Sequence, residues 1–202
     1  MNSVYAFKPK FQSLLRPISR WLARNNVTPN QVTVLAMLFS VAIGAATAIW
    51  ADQRWPLLLL PGVLLIRMAL NALDGMLARE HNMQSRLGAV LNELGDVLSD
   101  SALYLPLALV PGMPAAMLVV LVLLAVIGEM TGVIGVQIGA RRRYDGPLGK
   151  SDRALALSIL CLSLGYGAPA GAWLDVVVGI LIGLAALTII NRARRALAEV
   201  AV

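Results

Sequence analysis

The residues best suited to chemistry lie between Asn71 and Asp100, in the stretch NALDGMLAREHNMQSRLGAVLNELGDVLSD. Asp74, Glu93, Asp96 and Asp100 sit there with apolar segments on both sides. A carboxylate held in hydrocarbon costs about 3 kcal/mol or more unless it is paired, hydrated or metal-bound. Positions three and four apart share a helix face. Asn71, Asp74, Gly75 and Ala78 therefore line one side of a first helix. Asn92, Asp96 and Asp100 line one side of a second, and Gly88 continues that stripe. Carboxylates facing each other across two antiparallel helices form a cage for Mg²⁺ or Mn²⁺, which prefer hard oxygen ligands. Such an ion suits phosphoryl transfer, where charge builds on phosphate oxygens. The small residues Gly75, Ala78 and Gly88 leave room for a substrate or a close helix contact.

The elements that position these residues are membrane helices. Hydrophobic residues make up 58% of the 202 positions and charged residues only 14%, where a soluble domain carries about a quarter charged. A span takes about 20 mainly apolar residues. Six segments qualify, at 30–51, 56–79, 88–110, 115–140, 153–169 and 172–191, separated by Asp52-Gln53-Arg54, Glu80–Ser85, Pro111–Pro114, Arg141–Gly149 and Ala168–Gly171. Basic residues gather in the N-terminal segment, in the 2–3 and 4–5 connections and after the last span, whereas the opposite side has only Arg54. The positive-inside rule then puts both termini and the acidic cluster on the cytoplasmic side. Within residues 4–25, Phe11, Leu14, Leu15, Ile18, Trp21 and Leu22 form one apolar stripe, which reads as an interfacial helix lying on anionic lipid. Thr28-Pro29-Asn30 supplies the break and the next helix start. The expected organisation is an all-α membrane protein: an amphipathic juxtamembrane helix in 1–29, a six-helix domain over 30–192 and a short cytoplasmic tail, 193–202. No cleaved signal peptide is expected, because the basic N-terminal segment lacks a long apolar run with a cleavage site. The single Cys161 lies in an apolar run and reads as a packed side chain.

The acidic stretch resembles the signature of the CDP-alcohol phosphatidyltransferase family, D-x2-D-G-x2-A-R-x8-G-x3-D-x3-D. Asn71, Asp74, Gly75, Ala78, Arg79, Gly88, Asn92 and Asp96 occupy its eight defined positions with every spacing kept, and six of the eight match in identity. The resemblance implies transfer of a substituted phosphate from a CDP-linked donor, usually CDP-diacylglycerol, to an alcohol acceptor, with release of CMP in phospholipid synthesis. It implies that Asp74 is a metal ligand and that Asp96 is the general base, counted among the metal ligands as well. Gly75, Ala78, Arg79 and Gly88 would shape the cytidine-diphosphate pocket, with Arg79 on phosphate or nucleotide. A homodimer in the lipid bilayer of a bacterial inner membrane, with the active site facing the cytoplasm and no nucleic-acid partner, completes the expectation.

The departures are Asn71 and Asn92, where the signature has aspartates. Four aspartates would set four negative charges against two divalent cations, and these positions supply two. Three readings stay open at this point: Glu93 or Asp100 replaces the missing charge, one metal suffices, or the site binds a CDP-lipid without turnover. In the 4–5 connection, ARRRYDGPLGKSDRA, Lys150 and Arg153 resemble the region that holds the phosphate of phosphorylated acceptors, while Arg141–Arg143 are explained by topology, with an acceptor role as their second reading. Arg67 and Glu129 lie inside spans and are expected to pair with each other or with the acidic cluster. A transporter would distribute polar residues along a path through the membrane and often carries an internal repeat; the acids here concentrate on one side.

Overall fold

A computed structural model describes residues 8–201; positions 4–7 of the expected N-terminal helix lie outside the described residues, as does Val202. The described chain is all helical: α1 (Lys8–Arg24), α2 (Pro29–Ile49), α3 (Trp55–Glu80), α4 (Arg86–Tyr104) with a 3-10 extension (Leu105–Leu109), α5 (Ala115–Gln137), α6 (Lys150–Gly165) and α7 (Ala172–Val200). Local chemistry sets several of these starts. Thr28 Oγ1 accepts the Gln31 N–H at 3.3 Å, and Gln31 Oε1 accepts the Thr28 N–H at 2.8 Å, a reciprocal capping box ahead of Pro29. Ser85 Oγ accepts the Gly88 N–H at 2.9 Å and starts α4. The Gly149 N–H donates to Asp152 Oδ2 at 3.1 Å, so α6 begins at Lys150, three residues before the expected span.

Four helices, α2, α3, α5 and α7, are long and apolar enough to cross a membrane. The two other helices of the bundle carry different burdens: α6 has 16 residues, and α4 spends its inward face on Glu93, Asp96 and Asp100. Outward, however, α4 presents Leu87, Val90, Leu94 and Leu98, an exposed apolar stripe at helical spacing. The main core joins Leu60, Leu64, Tyr104, Leu107, Leu118, Leu157 and Val178 from five elements. The turns after α2, after the 3-10 segment and after α6 meet at one end, where Gly167 lies against Arg54 and Gly112 against Ala170. The acidic cluster and the α5–α6 connection lie toward the other end.

The stripe of α1 is divided between two environments. Leu15 is buried with Val32, Leu73, Met76 and Leu77, and Phe11 and Leu22 pack on that cluster. Leu14, Ile18 and Trp21 face away from the bundle, with Leu14 75% and Trp21 62% exposed. Arg16 grips Glu80 at the end of α3 through two N–H···O contacts of 3.3 and 3.1 Å. At the C-terminus α7 runs on to Val200, so residues 193–200, expected as a tail, are helical. Glu199 takes Arg141 and Arg143, tying that extension to the α5–α6 connection.

Helix proximity depends on one glycine in particular. A Cβ at Gly44 of α2 would collide with the Ala102 carbonyl oxygen of α4. Gly44→Val is therefore expected to force α2 and α4 apart and to lower the melting temperature of the detergent-solubilised protein by about 5 °C. An unchanged melting temperature would show that the helices do not approach this closely.

Candidate active site

The C-terminal half of α3, the inward face of α4, the start of α6 and the segment 138–149 converge on a cleft of about 900 Å³, within the range of small-molecule sites. The 138–149 segment is laid down on α5 and α7. The Arg143 N–H donates to the Gly132 carbonyl at 3.3 Å, and a Cβ at Gly132 would meet the Arg143 carbonyl oxygen at 2.7 Å. Further along, the Leu148 N–H donates to Thr188 Oγ1 at 3.0 Å. This anchoring brings Lys150 and Arg142 to α4.

Asp96 is the centre of the donor side. Its Oδ1 accepts from Asn71 Nδ2 at 2.7 Å and from the Lys150 ammonium, and the buried Arg67 guanidinium lies 3.7 Å away. Its Oδ2 has no hydrogen bond among the described residues and the side chain is partly exposed on the cleft. Asp74 is buried on α3. Thr33 Oγ1 donates to its Oδ2 at 2.8 Å, while Oδ1 is buried with no hydrogen-bond partner. Asn71, Gly75, Arg79 and Asn92 line the same cleft, and Arg79 makes no ion pair among the described residues. A Cβ at Gly75 would meet the Arg79 guanidinium at 2.6 Å, so glycine there lets that side chain lie along α3.

The other acids are committed elsewhere. Asp100 is held between two guanidinium groups, Arg67 at 2.6 Å and Arg153 at 2.8 Å, and is buried away from the cleft. Glu93 pairs with Arg142. Both residues are held in ion pairs with arginines. Arg67 thus joins the acidic cluster, whereas Glu129 sits 3.4 Å from each of Arg142, Arg153 and Arg192. Lys150 lines the cleft. Arg153 does not, since it is buried behind it on Asp100 and Glu129. Gly88 and Ala78 also lie off the cleft wall. A Cβ at Gly88 would meet Asn30 Oδ1 at 2.7 Å, so its small size serves the approach of α4 to α2.

Three contributors stand outside the main set of expected site residues. Thr33 supports Asp74 from α2, Arg142 crosses to α4, and Arg192, only 2% exposed, donates to the Gly128 carbonyl at 2.5 Å. Arg192 and Arg142 carry the same sequence signal as topology-setting arginines, and Thr33 reads as one more helix residue.

The donor set fits a divalent cation. Among the described residues no three His, Cys, Asp or Glu side chains converge on a metal site. Yet Asp74, with a buried carboxylate oxygen that has no partner, lies near enough to Asp96 for their charges to interact, and Asn71 and Asn92 line the same cleft as Asp96. Hard oxygens of this kind are what Mg²⁺ and Mn²⁺ select. Thr33 orients Asp74 from behind, and such supporting hydrogen bonds typically contribute about 10-fold or more to metal affinity. Thr33→Val is expected to weaken Mn²⁺ binding about 10-fold, measured by titration of the purified protein. Unchanged affinity would show that Asp74 needs no such support.

A helical membrane protein with a carboxylate and arginines on one cleft, and a second, buried carboxylate near by, has the parts a membrane-embedded phosphotransferase needs. The CDP-alcohol phosphatidyltransferase family model matches residues 26–190, and the chain belongs to that family. It is a phosphatidyltransferase enzyme of phospholipid synthesis, acting by CDP-alcohol phosphatidyl transfer. The inner membrane protein YnbA of Escherichia coli K12 is 45% identical over 195 residues, 96% of each chain. The archaetidylinositol phosphate synthase of Pyrococcus horikoshii is 32% identical over 103 residues, 50% of this chain and 52% of its own. Among solved structures, the Mycobacterium tuberculosis phosphatidylinositol phosphate synthase with CDP-DAG bound superposes with a TM-score of 0.74 at 23% identity, covering 89% of this chain and 92% of that one. The same enzyme in complex with manganese and citrate gives 0.74 at 23% identity, covering 90% and 88%. These two share the fold.

Proposed function

We propose that this enzyme transfers the phosphatidyl group of CDP-diacylglycerol to a phosphorylated alcohol, using Mg²⁺ or Mn²⁺, at the cytoplasmic face of a bacterial inner membrane. The observation that carries this reading is the two-natured cleft. Phe11, Leu65 and Met68 give it an apolar side suited to acyl chains, while Arg79, Asp96 and the basic wall of Arg142 and Arg143 give it a polar side suited to phosphates. The likeness to the archaetidylinositol phosphate and phosphatidylinositol phosphate synthases above supports a phosphorylated acceptor. All six helices α2–α7 cross the bilayer on this reading, with α4 and α6 turning polar faces inward. The basic end, which holds the cleft, faces the cytoplasm under the positive-inside rule.

Asp74, with the Asn71 and Asn92 amides, would hold the cation, which would supply charge stabilisation to the diphosphate. Arg79 lies free to take the nucleotide's phosphates. Asp96 Oδ2 accepts the acceptor's hydroxyl proton. The acceptor oxygen then forms its bond to the phosphorus that carries the diacylglycerol, and the bond from that phosphorus to the bridging oxygen breaks. CMP leaves with the electron pair. Asn71 and Lys150 hold the other oxygen of Asp96, which fixes the direction of the base.

The test uses purified protein, radiolabelled CDP-diacylglycerol, Mn²⁺ or Mg²⁺ and a panel of phosphorylated and plain alcohols. CMP release that requires a phosphorylated acceptor is the expected result. Equal release with plain polyols would remove the acceptor phosphate from the reading. Bound CDP-diacylglycerol with no release from any acceptor would overturn the transfer.

A further inference from the structure

The two amides in the acidic motif leave a shortage of negative charge, and the structure places a cation beside it. Lys150 stands in the first turn of α6 because the Gly149–Asp152 cap starts the helix there, and from that position its ammonium reaches across to Asp96 on α4. We infer that the Lys150 ammonium is a built-in cation that stands where a second metal ion would bind, so that the site takes a single divalent ion, seated on Asp74. The inference rests on the proposed CDP-lipid transfer and specifies how that site meets a diphosphate.

Three observations carry it. The lone pairs of Asp96 Oδ1 are already taken, by Asn71 Nδ2 at 2.7 Å and by Lys150, and Arg67 adds a further positive charge 3.7 Å away. A second dication at that oxygen would meet two N–H donors and two positive charges. Asp74 differs: its Oδ1 is buried, accepts nothing and is backed by Thr33 on the opposite oxygen. The open ligand position therefore lies on Asp74 of α3, within electrostatic reach of the lysine. Charge points the same way. Asp74 and Asp96 supply two negative charges and Lys150 offsets one, since Arg67 is already matched by Asp100. One divalent ion leaves this group at plus one, ready for a diphosphate, and two ions would leave it at plus three with amides at 71 and 92 to receive the second.

This arrangement predicts opposite movements of two affinities. A lysine beside a metal position repels the metal, and removing it strengthens metal binding. The same lysine attracts the nucleotide's phosphates, and removing it weakens nucleotide binding. A lysine with only a structural role would not separate the two.

The test is Mn²⁺ titration of purified, metal-free protein in detergent, followed by the electron paramagnetic resonance of the free ion, with CDP binding measured separately on the Mn²⁺-loaded protein. Wild type is expected to bind one Mn²⁺ per chain. Lys150→Met is expected to bind Mn²⁺ about 10-fold more tightly and CDP about 10-fold more weakly, the scale of one charge lost at a partly exposed site. Lys150→Arg, which keeps the charge, is expected to hold both near wild type. Asn71→Asp and Asn92→Asp combined with Lys150→Met should bind two Mn²⁺ whose signals are broadened by mutual coupling. Two ions in the wild type, or a Lys150→Met protein whose Mn²⁺ affinity holds or falls or whose CDP affinity does not drop, would overturn the built-in cation and leave the transfer reaction standing. No Mn²⁺ bound by wild type would overturn the metal dependence of the proposed function with it.

Discussion

Asp96→Asn is expected to reduce CMP release by about 100-fold or more, the contribution of a positioned general base, while the protein stays folded and keeps its CDP-diacylglycerol. The substitution preserves shape. An amide oxygen at this position still accepts from Asn71 and Lys150, which now hold Oδ1 of the carboxylate. What is lost is the free oxygen on the cleft that takes the acceptor's proton. The loss should therefore fall in kcat, with the KM for the CDP-lipid within a few-fold of wild type, because an interaction used only in the transition state lowers kcat and kcat/KM together. Retention of activity within about tenfold would remove Asp96 from the base role. A large rise in KM with kcat intact would make it a donor-binding group instead.

How much of this was legible in the sequence depends on how far each signal reaches. Thr28-Pro29-Asn30 announced the start of α2 because a capping box closes within three residues. The shared faces of Asn71, Asp74 and Gly75, and of Asn92 and Asp96, followed from helical spacing alone, and all but the buried Asp74 line one cleft. The partners of the buried charges were a different matter. Arg67 had Glu129 or any acid of the cluster as a partner, and only the packing of α3 on α4 decided for Asp100, with Asp96 beside it. Arg192 looked like one more basic residue at the end of a span, yet it turns inward to Glu129 and the Gly128 carbonyl. Gly88 shared a face with Asp96 but lies one helical turn too far along to reach the cleft, and it meets Asn30 instead. Contacts within one helix can be read from spacing; contacts among α4, α5, α6 and α7 depend on tilts that no single segment encodes.

Asp100→Asn should give the opposite outcome from Asp96→Asn, although the two residues are one helical turn apart. Asp100 faces Arg67 at 2.6 Å and Arg153 at 2.8 Å, all three buried. An asparagine there leaves two guanidinium groups to share no full charge on that side. Arg67 retains the Asp96 carbonyl at 3.1 Å, and Arg153 retains Glu129 at 3.4 Å, both weaker holds than the shared carboxylate. Breaking a buried pair by removing one partner costs about 3–5 kcal/mol, a large fraction of the stability of a chain this size. The expected result is poor recovery from the membrane and a melting temperature lowered by about 10 °C, with activity lost in proportion to folded protein rather than per folded molecule. Combining Asp100→Asn with Arg153→Met should recover part of that loss, because the second substitution removes one of the stranded charges and leaves an apolar chain of similar length. Two groups in contact are expected to couple by about 1 kcal/mol or more. A double variant no more stable than Asp100→Asn alone would mean that Arg153 depends on Glu129 and not on Asp100. The carboxylate at 100 would then serve Arg67 only. If the double variant does recover, one face of α4 divides its acids by depth: the one at the cleft works on substrate, and the one a turn deeper keeps the arginines of α3 and α6 inside the bundle.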